Sequence, residues 1–276
     1  MDPHYAQPTS PARMLGSIWR HRALIFQMTV RDVVGRYRGS LLGLTWSFFN
    51  PLLMLLVYTF VFTEVFHSKW TSAPSAGKVD FAVVLFIGMI VYALFAENVN
   101  RAPMLVVSNA NYVKKVVFPL EILPVVGVCA SLFHCLISLV VWLLAYLLLI
   151  GIPHLTALLL PLVILPFAIG ILGLSWMLAS IGVFLRDVAQ TTGIITTALM
   201  FLAPVFYSIE NVPPQFKRVI LVNPATFIIQ EAREVLVWGH APDWYGLGIY
   251  TAASLLVAWL GYWWFQKTRK GFADVL

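Results

Sequence analysis

Arg31, Arg36 and Arg38 have the side chains in this sequence best placed to bind a ligand. They lie in RDVVGRYRGSLLGLTWSFFNP, directly ahead of an uncharged stretch at residues 41–63. A guanidinium presents a planar fork of donors that matches phosphate oxygens two at a time. Three of them at the mouth of an apolar span could receive the anionic phosphates of a lipid-linked substrate. The same residues also work as a charge marker that sets the side from which the chain enters a bilayer. The two roles are compatible.

Other chemistry finds little support. His134 stands alone in an apolar stretch and reads as a packing residue. Cys129 and Cys135 would sit roughly 9 Å apart along a helix axis, too far for a disulfide, and read as small apolar residues. There is no H-x-x-x-H, no C-x-x-C and no serine with a suitable His and Asp nearby, so neither a catalytic cluster nor a metal site is expected. A phosphate-cradling G-x-x-x-x-G-K-[ST] loop is absent, because Gly77-Lys78 is followed by Val79. Charge inside the spans would mark an ion pathway. Here it is confined to Glu97, which has Arg101 one turn on as an i, i+4 partner. A carrier with neither ion-coupling groups nor an ATP site needs an external motor, or is a passive channel.

The elements that position these residues must lie in lipid. The chain of 276 residues is 60% hydrophobic and 11% charged, with a mean hydropathy of +0.85. A soluble domain carries about 25% charge. The formal charge of +6 does not point to nucleic acid, because the basic residues cluster between apolar stretches. The N-terminus shows no signal-peptide pattern.

The pattern predicts an all-α membrane protein with six transmembrane helices. Residues 1–40 form a cytoplasmic tail with amphipathic helices. In it, Met14, Leu15, Ile18, Trp19, Ile25 and Phe26 give residues 11–28 a face suited to the membrane interface. Asp32 and Arg36 are spaced for an i, i+4 pair. A six-helix transmembrane domain covers residues 41–266, and 267–276 form a cytoplasmic tail. The first span, 41–63, should kink at Asn50-Pro51. The second begins near Phe81, and the third covers about 122–150. The fourth, 155–185, should be broken by Pro161 and Pro166. The fifth is 188–207 and the sixth 244–265. Between the last two, residues 208–243 read as an outer re-entrant segment of two short helices. With both termini inside, most of the 18 basic residues are cytoplasmic, while Lys69, Lys78, Lys217, Arg218 and Arg233 lie outside. Trp46, Phe48, Phe49, Tyr58, Phe60 and Phe62 in the first span could contact sugar rings in a passage, or simply lipid and other helices.

Two segments, RDVVGRYRGSLLGLTWSFFNP at 31–51 and VPPQFKRVILVNPATFIIQEAREVL at 212–236, resemble the membrane subunits of type-2 ABC transporters. The likeness is to the branch exporting O-antigen, capsule or teichoic acid, and the general plan extends it over nearly the whole chain. It implies a homodimeric permease in the bacterial inner membrane, driven by two copies of a separate ABC ATPase. This chain would then need no cofactor of its own, with ATP bound by the partner. The substrate would be a polysaccharide on a lipid carrier such as a polyprenyl pyrophosphate. The loop at 109–119, with Asn111, Tyr112, Lys114 and Lys115, would couple to the ATPase, and Asp32 would lie near that contact. Arg31, Arg36 and Arg38 would line the substrate entrance. The first and fifth spans would line the passage, with Trp46, Phe49, Tyr58, Phe201 and Tyr207 as candidates. Asn223, Pro224 and Arg233 would belong to an outer gate. Two rivals stay open: an exporter of drugs or small lipids in the same family, and a membrane glycosyl- or acyltransferase.

Overall fold

The computed structural model describes residues 10–65, 78–115 and 118–276. The described residues are helical, with no strand among them. The polar loop expected after the first span falls largely at 66–77, outside the described residues.

The amphipathic N-terminal segment turns at His21 into two helices, α1 (Pro11–Arg20) and α2 (Arg22–Arg36). Met14, Ile25, Met28 and Val33 face inward, while Leu15, Trp19, Phe26, Val30 and Val34 stay exposed. This leaves an apolar stripe of the kind that lies in a membrane interface. Gly39, at φ 87°, then lets the chain turn toward α3 (Trp46–Thr59). That helix runs on through Pro51 and closes in a π-helical turn, Phe60–Val65.

α4 (Lys78–Arg101) is the hub and packs against α3, α6 (Ile122–Leu149), α7 (Leu160–Phe184), α8 (Val188–Leu202) and α10 (Pro224–Arg233). Its link to α6 passes through a short helix, α5 (Ala110–Lys115). Pro166 does not break α7, which continues uninterrupted through it, and Pro161 sits in its first turn, where its missing N–H costs nothing. Cys129 and Cys135 are both free thiols on α6.

α7 makes its most extensive contact with α11 (Trp244–Thr268). Glycine allows it: a Cβ at Gly261 would lie 2.1 Å from the Gly173 carbonyl oxygen. Small residues that let two backbones touch are the usual adhesive between helices in lipid. At the end of α7 a Cβ on Gly182 would meet the Pro103 carbonyl at 2.1 Å, so the turn after α4 rests on α7 backbone.

Five helical stretches among the described residues are long and apolar enough to cross a bilayer: Gly43–Phe62, Phe81–Met104, Ile122–Leu149, Leu155–Phe184 and Trp244–Val275. The expected fifth span stops short. α8 has 15 residues and ends at Leu202. Ala203 is already extended (φ −85°, ψ 147°), because Pro204 disfavours a helical residue before it. The segment before α11 holds the two expected short helices, α9 (Pro214–Val222) and α10, joined at Asn223. A four-residue helix, α12 (Phe272–Val275), packs back against α7.

Candidate functional site

The end of the bundle that carries the charged residues gathers four of them from two helices. α2 lies against α6, and its last turn comes beside the last turn of α4. Arg101 donates from Nη2 to both Asp32 oxygens at 2.9 Å and from Nη1 to Glu97 at 3.5 Å. Glu97 in turn accepts from Arg36. The local Asp32–Arg36 pair read from the sequence therefore gives way to a crossed pairing between helices. Each helix offers one acid and one base a turn apart, and across the gap each acid meets the other helix's base. All four side chains are partly exposed, so each pair is worth about 1 kcal/mol or less. The network orients the arginines more than it holds the fold.

These residues border a cavity of about 390 Å³, lined among others by Met28, Arg31, Asp32, Arg36, Arg101 and Asn109. That size falls in the range of small ligand sites. Arg31 reaches across to the Tyr112 hydroxyl (3.0 Å), and Tyr112 stacks on Phe118 with centroids 4.4 Å apart. A continuous contact thus runs from α2 to α5. Asn111 is exposed on α5, and the side chains of Lys114 and Lys115 lie outside the described residues. Arg38 is exposed past the end of α2 and does not line the cavity. The structure adds Arg101 to the group. Its spacing from Glu97 was visible in the sequence, but its reach to Asp32 was not.

The passage candidates fall into two sets. Trp46 and Phe49 lie near the start of α3, Trp46 half-buried and Phe49 exposed. Tyr58 packs near the π-helical turn, against the cluster of Phe81, Val84 and Leu85. There Phe62 stacks on Phe206 (5.9 Å), Phe206 meets Phe201 (6.0 Å), and the Tyr207 hydroxyl donates to the Phe201 carbonyl (3.2 Å). An aromatic chain therefore ties the end of the first span to the segment after α8. Phe206, which the sequence did not single out, is its central member.

The hairpin is bolted down by its own signature residues. The Asn223 side chain caps α10 by accepting from Ala225 N–H (3.0 Å) and donates to the Leu199 carbonyl on α8 (2.8 Å). The Pro224 carbonyl accepts from the Tyr250 hydroxyl on α11 (2.8 Å). Arg233, fully enclosed, donates to the carbonyls of Val84 (3.1 Å), Pro204 (2.7 Å) and Val205 (2.9 Å). The carbonyls at 204 and 205 have lost helical partners where α8 ends, and in an apolar surrounding such groups need a donor. Gly88 makes the room, since a Cβ there would stand 2.7 Å from Arg233 Nη2.

The model of the ABC-2 type transporter family matches residues 23–237. An O-antigen export system permease protein RfbA from Myxococcus xanthus is 26% identical over 264 residues, covering 95% of this chain and 98% of the relative. A protein of the same name from Klebsiella pneumoniae is also 26% identical, over 92% of this chain and 95% of its own length. The polysialic acid transport protein KpsM of Escherichia coli is 21% identical over 86% of this chain and 89% of its length.

Proposed function

The chain belongs to the ABC-2 type transporter family, and on that premise we propose that it is the permease of an ATP-driven exporter of a lipid-linked polysaccharide such as O-antigen. The observation that carries this reading is the end-to-end similarity to permeases named for O-antigen export. The protein is a multi-pass component of the bacterial inner membrane. Its basic end faces the cytoplasm, as the positive-inside rule requires, and so do both termini. α8 and residues 203–207 together make a sixth crossing. The α9–α10 hairpin re-enters the membrane from the far side, its irregular flanks satisfied by Arg233 and Asn223.

Two copies form the passage, with α3 and α8 toward the shared path. Their exposed aromatics, including Phe49, Phe60 and Phe201, support that arrangement. Two ATPase subunits dock at α5 and the end of α2. The Arg31–Tyr112 hydrogen bond carries their movement to the entrance cavity. There the carrier's pyrophosphate competes with Asp32 and Glu97 for Arg101 and Arg36, and Arg38 adds charge at the approach. The outer gate opens at Asn223 and Pro224, hinging on the Arg233 clamp.

The direct test is co-expression with an ABC ATPase and a lipid-linked glycan, with surface glycan read by antibody. Export should require ATP hydrolysis and should fall when Arg31, Arg36 and Arg38 are all replaced by Gln. Unchanged export and insertion in that triple variant would remove the arginines from the entrance. Drug efflux without glycan export would point to the small-molecule branch, and turnover of a lipid-linked sugar by the purified chain alone to an enzyme.

A further inference from the structure

The strongest unspent positive charge at the basic end lies outside the entrance cavity. A second cavity of about 650 Å³ opens between α1, residues 118–121 and the end of α11. Arg13, Arg20, His21 and Arg269 line it, together with Tyr262 and one acid, Glu121. That acid is already committed. Its Oε1 accepts from the Ser17 hydroxyl (2.9 Å) and its Oε2 from Arg269 (2.8 Å), whose other arm donates to the Phe118 carbonyl (2.8 Å). Arg13 and Arg20 lie two turns apart on one side of α1, and their side chains have no ion pair or hydrogen bond among the described residues. Among the described residues, no other acid lines the cavity to balance them. In the entrance cavity, by contrast, Arg36 and Arg101 already face Glu97 and Asp32.

The position of α1 says what kind of anion would arrive. On its other side Leu15 and Trp19 are 63% and 72% exposed. At the end of α11, two residues before Arg269, Lys267 sits over the Trp263 ring at 4.4 Å. A helix with Leu and Trp outward and Arg on its other flank rests at the level of lipid head groups. We propose that this cavity binds the phosphate head group of an anionic phospholipid. Arg13 and Arg20 grip the phosphate and Arg269 backs it, so the bound lipid fastens α1 to α11. A free phosphate ion shares that chemistry but not the adjoining apolar surface. This site does not depend on what the protein exports.

The test uses the full chain in bilayers of phosphatidylcholine and phosphatidylglycerol in equal parts, transferred to detergent. Native mass spectrometry then counts the lipid retained per chain. The wild-type protein should keep phosphatidylglycerol preferentially. R13Q/R20Q should lower that preference by about fivefold per arginine, the worth of one basic side chain at an anionic surface. R13K/R20K, which keeps the charge, should hold it, and so should R186Q/R218Q, which removes two exposed arginines elsewhere. An unchanged preference in R13Q/R20Q would overturn the proposal. So would its loss in R13K/R20K, or an equal fall in R186Q/R218Q. Displacement of phosphatidylglycerol by millimolar inorganic phosphate would overturn the lipid as the source.

Discussion

α3 and α4 are consecutive apolar helices in contact with each other, yet their surroundings differ sharply. Of the span that contains α4, 78% is buried within the chain; of the span that contains α3, 11% is. Apolar composition alone does not separate them. What does is the set of polar anchors along α4. Tyr92 donates to the Thr196 carbonyl, Asn100 accepts from the Thr196 hydroxyl, and the Val83 and Val84 carbonyls accept from Trp142 and Arg233. On α3, by contrast, the Ser47 and Thr59 hydroxyls donate one turn back along the chain, to the carbonyls of Leu44 and Leu55. A helix pinned on several sides becomes a frame, while one held by apolar contact on one flank offers its other flank to lipid, substrate or a second copy.

The hardest blow to that contrast would fall at the hub. Arg233→Met takes the donor from the enclosed Pro204 and Val205 carbonyls, each costing about 1–3 kcal/mol. The yield of monodisperse protein on fluorescence-detected size exclusion should collapse. Normal yield would mean that the hub does not depend on its clamp. Ile87→Ala, at a fully buried position of α4, should cost about 2–5 kcal/mol, visible as a large fall in the melting temperature in detergent. Glu97→Gln should be milder, about 1 kcal/mol or less, because the pairs it breaks are partly exposed. A double-mutant cycle with Arg36→Gln would measure the coupling, and a value near zero would mean the crossed network does not form. The smallest effect is expected on α3. Leu56→Ala, at an exposed site, should change folding stability by no more than about 0.5 kcal/mol. If it destabilises as much as Ile87→Ala, the exposed flank of α3 is covered in the folded protein by another chain.

The long apolar helices were legible in the sequence because their pattern needs only local information. So were the amphipathic start, the unbridged cysteines and the two short helices around Asn223-Pro224. The partners of charged residues were not. Asp32 and Arg36 are a turn apart, yet each finds its counterpart more than 60 residues away. Arg233 read as one basic residue on an outer segment, because nothing near it in sequence announces the carbonyls left open at Pro204 and Val205. The end of α8 could have been placed from Pro204, which restricts the residue before it. Continuity of α7 through Pro166 could not, since neighbouring helices decide whether a proline interrupts or is accommodated.

The contact between Gly182 and the Pro103 carbonyl has a mechanical consequence. Backbone against backbone leaves no side chain to act as a cushion between the turn after α4 and the foot of α7. A load applied at α5 therefore has a stiff route upward, through that turn into α7 and, by way of Gly173 and Gly261, into α11. Those two helices would move as a single strut, and the compliance of the machine would reside in its least-braced member, α3.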